Sequence, residues 1–210
     1  MKLTLFLIIL NIIAFLYSLT NFDYYIENYG FNPKNFSSGN YYVLITSMFL
    51  HANLGHLIGN MIALFFLGWT IENNVSGWKY LLVYFSSGAL SNLSVMLPIF
   101  GYTSETIAIG ASAAISGLVG LGTFVCPGKF VMFPTALPLP FVVGGAIYLL
   151  VNLSNLFIPS NVAYSAHILG MLSGALFGLA WGEDRKKRLF VFILLLILIS
   201  TSPLIIGYFV

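Results

Sequence analysis

Ser112 is the first residue whose type and setting suggest chemistry, because it stands among small apolar residues in the segment IGASAAISGLVG at 109–120. A serine hydroxyl is a weak nucleophile by itself and becomes reactive beside a general base. Histidine suits that role, since its pKa lies near neutrality. The segment YSAHILG at 164–170 supplies His167. The sequence therefore predicts a Ser–His pair for acyl transfer.

A third segment, HANLGHLIGN at 51–60, carries donors for the negative charge that acyl transfer develops. His56 and Asn60 are four residues apart, so a helix would point both side chains in one direction. A neutral imidazole N–H and an amide are suitable donors to an oxyanion. His51 would diverge from His56 by about 140° on the same helix, which argues against a two-histidine metal site. We predict His56 and Asn60 as oxyanion donors, with no metal and no cofactor.

The elements that must position these residues are membrane helices. Of the 210 residues, 59% are hydrophobic and only 7% are charged, whereas soluble domains have about 25% charged residues. An α-helix needs about 20 apolar residues to cross a bilayer. Seven segments are of this kind, at 3–20, 46–70, 79–100, 107–125, 140–157, 162–181 and 189–209. The fold class is therefore all-α, a polytopic membrane helical bundle.

Charge indicates how the bundle is oriented. With a cytoplasmic N-terminus, only Lys34 of the eight lysines and arginines lies outside, as the positive-inside rule requires. The other cations are Lys2, Lys79, Lys129, Arg185, Lys186, Lys187 and Arg188. We therefore expect a multi-pass protein of a prokaryotic plasma membrane, with its C-terminus outside. The net charge of +2 reflects this asymmetry and does not indicate a nucleic-acid partner.

This topology places the polar residues at one depth. Spans two, four and six run from outside to inside, and each carries its polar residues near its start. At 1.5 Å per residue, these side chains lie about 8–15 Å below the outer surface. Small residues let two helix backbones approach closely, and spans four and six carry Ala113, Gly117, Gly120, Gly170, Gly174 and Gly178. Close approach would bring Ser112 to His167.

No carboxylate shares that depth, so a Ser–His dyad without an acidic third member is predicted. The acids of the cytoplasmic side are Glu72, Glu183 and Asp184, and those of the outer loops are Asp23, Glu27 and Glu105. Glu105 stays open as a group that orients His167. Asn92, Asn152 and Asn155 lie within spans and are interpreted as interhelical hydrogen-bond formers.

At these residues the chain resembles the rhomboid family of intramembrane serine proteases. The matching motifs are HANLGHLIGN, GAS at 110–112 and AHILG at 166–170, and the resemblance covers about residues 3–182. It implies Ser112 as nucleophile, His167 as base, and His56 and Asn60 at the oxyanion site. It also implies a six-helix catalytic core at 1–182, followed at 183–210 by a basic cytoplasmic turn and a seventh C-terminal transmembrane helix.

The chain departs from the family pattern beside the serine. The family usually has glycine immediately after it, where this chain has Ala113. An aromatic residue four positions after the serine commonly packs on the histidine, and this chain has Ser116 there. The resemblance also implies a lateral gate between spans two and five. We predict that replacing Phe141 or Tyr148, whichever faces span two, with alanine raises or maintains cleavage of a membrane-embedded client.

Three functions are open on the sequence. The first is a serine endopeptidase that cleaves transmembrane segments near the outer leaflet, with transmembrane proteins and the lipid bilayer as partners. The second is a catalytically weak or inactive relative that binds transmembrane clients. The third is a channel or transporter, against which the lack of a repeat and of a continuous polar stripe argues. The presence of both Ser112 and His167 favours the first, and the sequence indicates no oligomeric state.

Overall fold

A computed structural model describes residues 2–133, 137–158, 160, 162–182, 184, 186, 188–193 and 197. These residues are mostly helical, as predicted. The helices are α1 Lys2–Ser18, α2 Phe22–Tyr29, α3 Pro33–Ser37, α4 Val43–Thr46, α5 Leu54–Ala63, α6 Trp69–Glu72, α7 Gly77–Asn92, α8 Ser112–Val125, α9 Phe141–Ser154 and α10 Tyr164–Trp181. A π-helical stretch, Leu64–Gly68, joins α5 and α6 into one helix of 19 residues.

Short 3₁₀ turns and one small hairpin lie between these helices. The 3₁₀ turns are Ser47–Phe49, Leu93–Met96 and Pro98–Phe100. The hairpin joins β1 Phe130–Met132 and β2 Pro138–Pro140, which are antiparallel with Val131 opposite Leu139. It lies between α8 and α9, where no strand was predicted.

Helix α8 forms the centre of the bundle. It is apolar on all sides, and a helix of that kind is normally buried. Every residue from Ala113 to Phe124 is buried. Helices α7, α9 and α10 and the α5–α6 helix all pack against it. A residue at the end of α8 is therefore surrounded by several other helices.

The helix lengths differ from the predicted spans. Within the described part of the chain, two helices are long and apolar enough to cross a membrane, Leu54–Glu72 and Tyr164–Trp181. The helices Lys2–Ser18, Ser112–Val125 and Phe141–Ser154 are apolar but shorter. The predicted starts of spans two and four were wrong by several residues. Span two was expected from residue 46 and span four from residue 107. Most of the predicted seventh span, 189–209, lies outside the described residues.

Local chemistry explains where α5 begins. The Asn53 side chain caps it and accepts a hydrogen bond from the His56 N–H at 2.9 Å, which satisfies a donor that has no acceptor within the helix. The residues before the cap form a loop that includes His51. This histidine therefore does not lie on the helix that carries His56.

Backbone hydrogen bonds to other segments hold the residues that lead into α8. Phe31 and Ala108 exchange two backbone hydrogen bonds, of 3.1 and 2.8 Å. The N–H of Gly110 donates to the carbonyl of Ser47 at 2.9 Å. Gly110 has φ +116°, which glycine tolerates and other residues rarely adopt. That conformation cannot continue a helix, so α8 begins only at Ser112.

At the end of the α5–α6 helix, a carboxylate contacts the start of α1. Glu72 accepts hydrogen bonds from the backbone N–H groups of Leu3 and Thr4, at 3.0 and 2.9 Å, and from the Thr4 hydroxyl at 2.7 Å. The first N–H groups of a helix lack internal acceptors and attract negative charge. This contact ties the start of α1 to the end of the α5–α6 helix.

Candidate active site

Two residues that the sequence paired come together at one end of α8. The Ser112 Oγ lies 2.9 Å from the Nε2 of His167, a distance typical of a hydrogen bond. Ser112 is the first residue of α8, and His167 lies in the first turn of α10. Both residues are half-buried. The pair is therefore held by two helix ends and is not sealed in the core.

Backbone contact between α8 and α10 explains how the two residues meet. A Cβ on Gly174 would overlap the backbone of Gly117, and a Cβ on Gly170 would overlap the carbonyl of Ala113. A Cβ on Gly120 would likewise overlap the α10 backbone. The prediction that small residues let spans four and six approach closely is confirmed.

The predicted oxyanion donors lie against the turn that precedes Ser112. A Cβ placed on Gly110 would be 2.8 Å from the His56 ring and 3.3 Å from the Asn60 Nδ2. His56 and Asn60 therefore share one face of α5, as their spacing predicted. Glycine is required at position 110 for two reasons. Its φ is positive, and the absence of a side chain makes room for both donors.

Both side chains present N–H groups at this turn. The backbone N–H of Ala52 donates to His56 Nδ1 at 3.4 Å, so the ring proton lies on Nε2. Asn60 is 8% exposed, and its Nδ2 has no hydrogen-bond partner among the described residues. A buried amide donor without an acceptor is costly in a folded protein. A bound ligand that supplied the missing acceptor would remove this cost.

His51 is closer to this cluster than the sequence suggested. The expectation that it diverges from His56 assumed that both lie on one helix, and it was wrong because α5 begins at Leu54. The His51 ring lies 5.0 Å from the His56 ring, centroid to centroid. Its Nδ1 is 3.3 Å from the carbonyl of Phe49. His51 thus packs against His56 from the loop that precedes α5.

Asn152 completes a line of polar contacts that the sequence did not reveal. Its Oδ1 lies 2.9 Å from the Nδ1 of His167. It was interpreted as an interhelical hydrogen-bond former, which is confirmed, but its partner was not foreseen. The Asn92 side chain also forms hydrogen bonds to other elements, to the Leu44 carbonyl and the Ser47 hydroxyl. Asn155 does not, because it bonds the carbonyl of Val151 in the adjoining α9.

Two aromatic residues lie beside His167, Tyr148 of α9 and Tyr164 of α10, and neither comes from α8 as in the family pattern. Ser116 occupies the position of α8 where the family pattern has an aromatic residue. Tyr148 of α9 instead lies beside His167, with ring centroids 6.3 Å apart and an interplanar angle of 32°. Its hydroxyl is 2.6 Å from the Ser116 Oγ. The space left by the small residue on α8 is thus occupied from α9.

The structure also describes Glu105 and the two candidate gate aromatics. Glu105 is exposed and forms an ion pair with Lys34 at 3.5 Å, and the Nδ1 of His167 is bonded to Asn152 instead. Phe141 packs on Phe133 and Gly122. Tyr148 contacts Ser116 and His167, and the gate between spans two and five stays a prediction.

Comparison with known proteins agrees with these motifs. The family model described as "Rhomboid domain" matches residues 38–184. The chain is 31% identical over 189 residues to "RHOMBOID-like protein 12, mitochondrial" of Arabidopsis thaliana, with 80% of this chain and 54% of that protein covered. It is 27% identical over 155 residues to "Putative rhomboid protease YdcA" of Bacillus subtilis, with 72% and 73% covered.

A longer relative shows the same similarity over a smaller share of its length. "Rhomboid protease GluP" of Bacillus subtilis is 28% identical over 166 residues, which cover 77% of this chain and 31% of that protein. The chain thus spans about half the length of the Arabidopsis relative and about a third of GluP. The matched domain contains His56, Asn60, Ser112 and His167. The chain belongs to the rhomboid family and is a membrane protein.

Proposed function

We propose that this chain is a serine endopeptidase that cleaves transmembrane segments of other membrane proteins near the outer leaflet. The observation that carries the proposal is the 2.9 Å separation between Ser112 Oγ and His167 Nε2. The donors of His56 and Asn60 beside Gly110 support it. Two similar proteins, at 27% and 28% identity, carry the word protease in their names.

The chemistry follows from these groups. His167 Nε2 accepts the Ser112 proton while Oγ attacks the carbonyl carbon of the scissile peptide. The resulting oxyanion accepts hydrogen bonds from His56 Nε2–H and Asn60 Nδ2–H, and from the Ser112 backbone N–H in the first turn of α8. Protonated His167 then gives its proton to the leaving nitrogen as the C–N bond breaks, which leaves an acyl ester on Ser112.

The second half of the reaction uses the same groups. His167 accepts a proton from a water molecule, whose oxygen attacks the ester carbon. A second tetrahedral oxyanion forms at the same donors and collapses. The ester bond breaks, the proton returns to Ser112 Oγ, and the new carboxyl terminus leaves. No metal or cofactor takes part in this scheme.

The location of the reaction is part of the proposal. The N-terminus lies on the side that carries seven of the eight cations, as the positive-inside rule favours. Helix α8 has 14 residues and is about 21 Å long, shorter than the ~30 Å hydrocarbon layer. Ser112 at its outer end would then lie below the membrane surface. We place the protein in a prokaryotic plasma membrane, although one relative is named as mitochondrial.

The proposal also includes the division of the chain near residue 182. We propose that residues 1–182 are a catalytic core of six spans and that 183–210, most of which lies outside the described residues, are a basic cytoplasmic turn and a seventh span. The described helices before 183 support the first part. The apolar composition of 189–209 supports the second.

The substrate must lose helical structure before it can react. Peptide carbonyls inside an intact helix are hydrogen-bonded and hidden from a nucleophile, and a bilayer offers them no other partner. A client with glycine or proline near its outer end unwinds more easily. We therefore expect such transmembrane segments to be the substrates.

Labelling with a fluorophosphonate tests the proposal. The purified protein should react covalently with the probe and cleave a transmembrane client, and Ser112→Ala should abolish both. Ser173→Ala is the matched control, because Ser173 is a buried serine of α10 that bonds Ser87 at 3.3 Å. This control should keep both activities. A wild-type protein that takes no label but still binds clients would instead support the non-catalytic alternative.

A further inference from the structure

Helix α9 reaches His167 with two side chains that lie one turn apart. Asn152 is only 3% exposed, and its Oδ1 lies 2.9 Å from His167 Nδ1. Its Nδ2 donates to the backbone carbonyl of Tyr148 at 2.7 Å. Tyr148 itself lies beside the histidine ring. One face of α9 therefore contacts the base of the proposed reaction.

The hydrogen bonds of Asn152 determine where the proton of His167 lies. A backbone carbonyl can only accept, so the amide atom that faces the Tyr148 carbonyl must be the NH₂ group. The atom that faces His167 is then the amide oxygen, which also only accepts. His167 must donate to it from Nδ1. A neutral ring with its proton on Nδ1 has a free lone pair on Nε2, the nitrogen that faces Ser112.

A second chain of hydrogen bonds links the same helix to the serine. The Ser116 hydroxyl donates to the Ser112 carbonyl at 2.8 Å. Its only proton is used there, so the 2.6 Å contact with Tyr148 must be donated by the Tyr148 hydroxyl. The Tyr148 hydroxyl is therefore linked through Ser116 to the backbone of Ser112, while the Tyr148 ring lies beside His167.

We infer that α9 is a third element of the active site, in which Asn152 holds His167 in the Nδ1–H tautomer and Tyr148 holds the plane of its ring. This inference rests on the proposed function, which needs Nε2 as the proton acceptor. Neither residue touches the reacting atoms, so both are positioning residues. A neutral asparagine performs the corresponding task in Cys–His–Asn enzymes. The Ser–His pair of this chain thus has a third member without a carboxylate.

The tautomer can be measured without any reference to proteolysis. Protein labelled with ¹⁵N in its histidine rings is placed in lipid nanodiscs, and the His167 signals are assigned by their loss in His167→Gln. We expect the wild-type signals of a ring protonated at Nδ1. In Asn152→Leu the acceptor is gone, so a mixture with the Nε2–H form should appear. A wild-type His167 protonated at Nε2 would overturn the inference.

Kinetics on a transmembrane client supply the second readout. Asn152→Leu should lower kcat by about 10- to 100-fold, because a misdirected base loses its alignment with Ser112. KM should stay within about twofold, since client binding is not altered. Asn152→Asp should restore most of kcat, because a carboxylate also accepts from Nδ1–H.

Asn155→Ala is the matched control for these variants. Asn155 directly follows α9 and makes the same kind of bond, from its Nδ2 to the carbonyl of Val151 at 2.7 Å, but has no histidine partner among the described residues. It should leave kcat and the His167 signals unchanged. Wild-type kcat in Asn152→Leu would refute the positioning role while Ser112→Ala remained inactive. If the wild type proved inactive as a protease, the ring spectra would still decide the tautomer.

Discussion

The two interfaces that α8 forms with α10 and α9 are built in opposite ways. Against α10, backbone meets backbone, as where Gly174 lies on Gly117. Against α9, side chains fill the gap, as where Tyr148 bonds Ser116 and where Thr123 lies against Gly145. A backbone contact cannot be relieved by a change of rotamer, whereas a side-chain contact can.

The contrast assigns a different task to each interface. The α8–α10 contact sets how far Ser112 is from His167, because both residues lie at the ends of these two helices. The α9 contacts help to set how the His167 ring is turned, because Asn152 and Tyr148 reach the ring itself, as Tyr164 of α10 also does. The distance between Ser112 and His167 thus depends on small residues, and the orientation of the His167 ring depends on polar and aromatic residues.

The strongest test of this contrast adds one methyl group to each interface. Gly174→Ala places a Cβ on the backbone of Gly117, so the helices must separate. We expect a loss of about 1–3 kcal/mol in stability and a fall of about 10²-fold or more in client cleavage. Thermal unfolding in detergent and client cleavage measure the two effects.

Gly145→Ala is the matched variant on the other interface. Its Cβ would meet the Thr123 hydroxyl, a side-chain group that can rotate away at the cost of its 2.8 Å hydrogen bond to the Val119 carbonyl. We expect about 1 kcal/mol of destabilisation and near-normal cleavage. Equal losses in the two variants would contradict the distinction between backbone and side-chain interfaces.

A second close approach lies between α5 and the turn before Ser112. Gly110→Ala would strain a backbone with φ +116° and push the His56 ring and Asn60 amide away. We expect client cleavage to fall by about 10²-fold, the effect of losing an oxyanion donor. Steady-state cleavage rates measure it.

Gly101→Ala separates strain from displacement in that test. Gly101 has φ +77° and nothing within 4 Å of its Cβ position. The variant should show a comparable backbone strain, of order 1–2 kcal/mol, without loss of catalysis. If Gly101→Ala lowered cleavage as much as Gly110→Ala, the position of the two donors would not explain the result.

The smallest expected effect concerns the hydroxyl pair on the α9 side. Ser116→Ala and Tyr148→Phe each break the same 2.6 Å hydrogen bond. Each should lower kcat by severalfold, and the double variant should be no worse than the poorer single one. A double-mutant cycle should therefore give a coupling of about 0.5–1.5 kcal/mol. Additive effects would mean that the two hydroxyls act independently.

Much of the candidate site could be predicted because it depends on residue type and helical spacing. His56 and Asn60 share a face since four residues make about one turn. Ser112 and His167 could be paired because both begin spans that run in the same direction. The starts of α5 and α8 could not be predicted as well. They depend on the Asn53 cap and on the φ of Gly110, which contacts with other segments select.

The contribution of α9 was missed for a different reason. This helix is apolar around most of its circumference, so its hydrophobic pattern does not show which side faces α8 and α10. Asn152 could be recognised as polar and intramembrane, but its partner could not. Glu105 stayed open as an alternative because the sequence did not show that it pairs with Lys34.

The amino-acid sequence alone determined the helical class, the small-residue stripes and the identity of the serine, histidines and asparagine that could act together. Those features follow from composition and from the 3.6-residue period of a helix, which are local properties. Two features could not be read from the sequence: the tautomer of His167, and the presence of Tyr148 of α9 beside the histidine in place of an aromatic residue on α8. They depend on the rotation of α9 about its own axis, which is set when side chains from three helices pack at the same point.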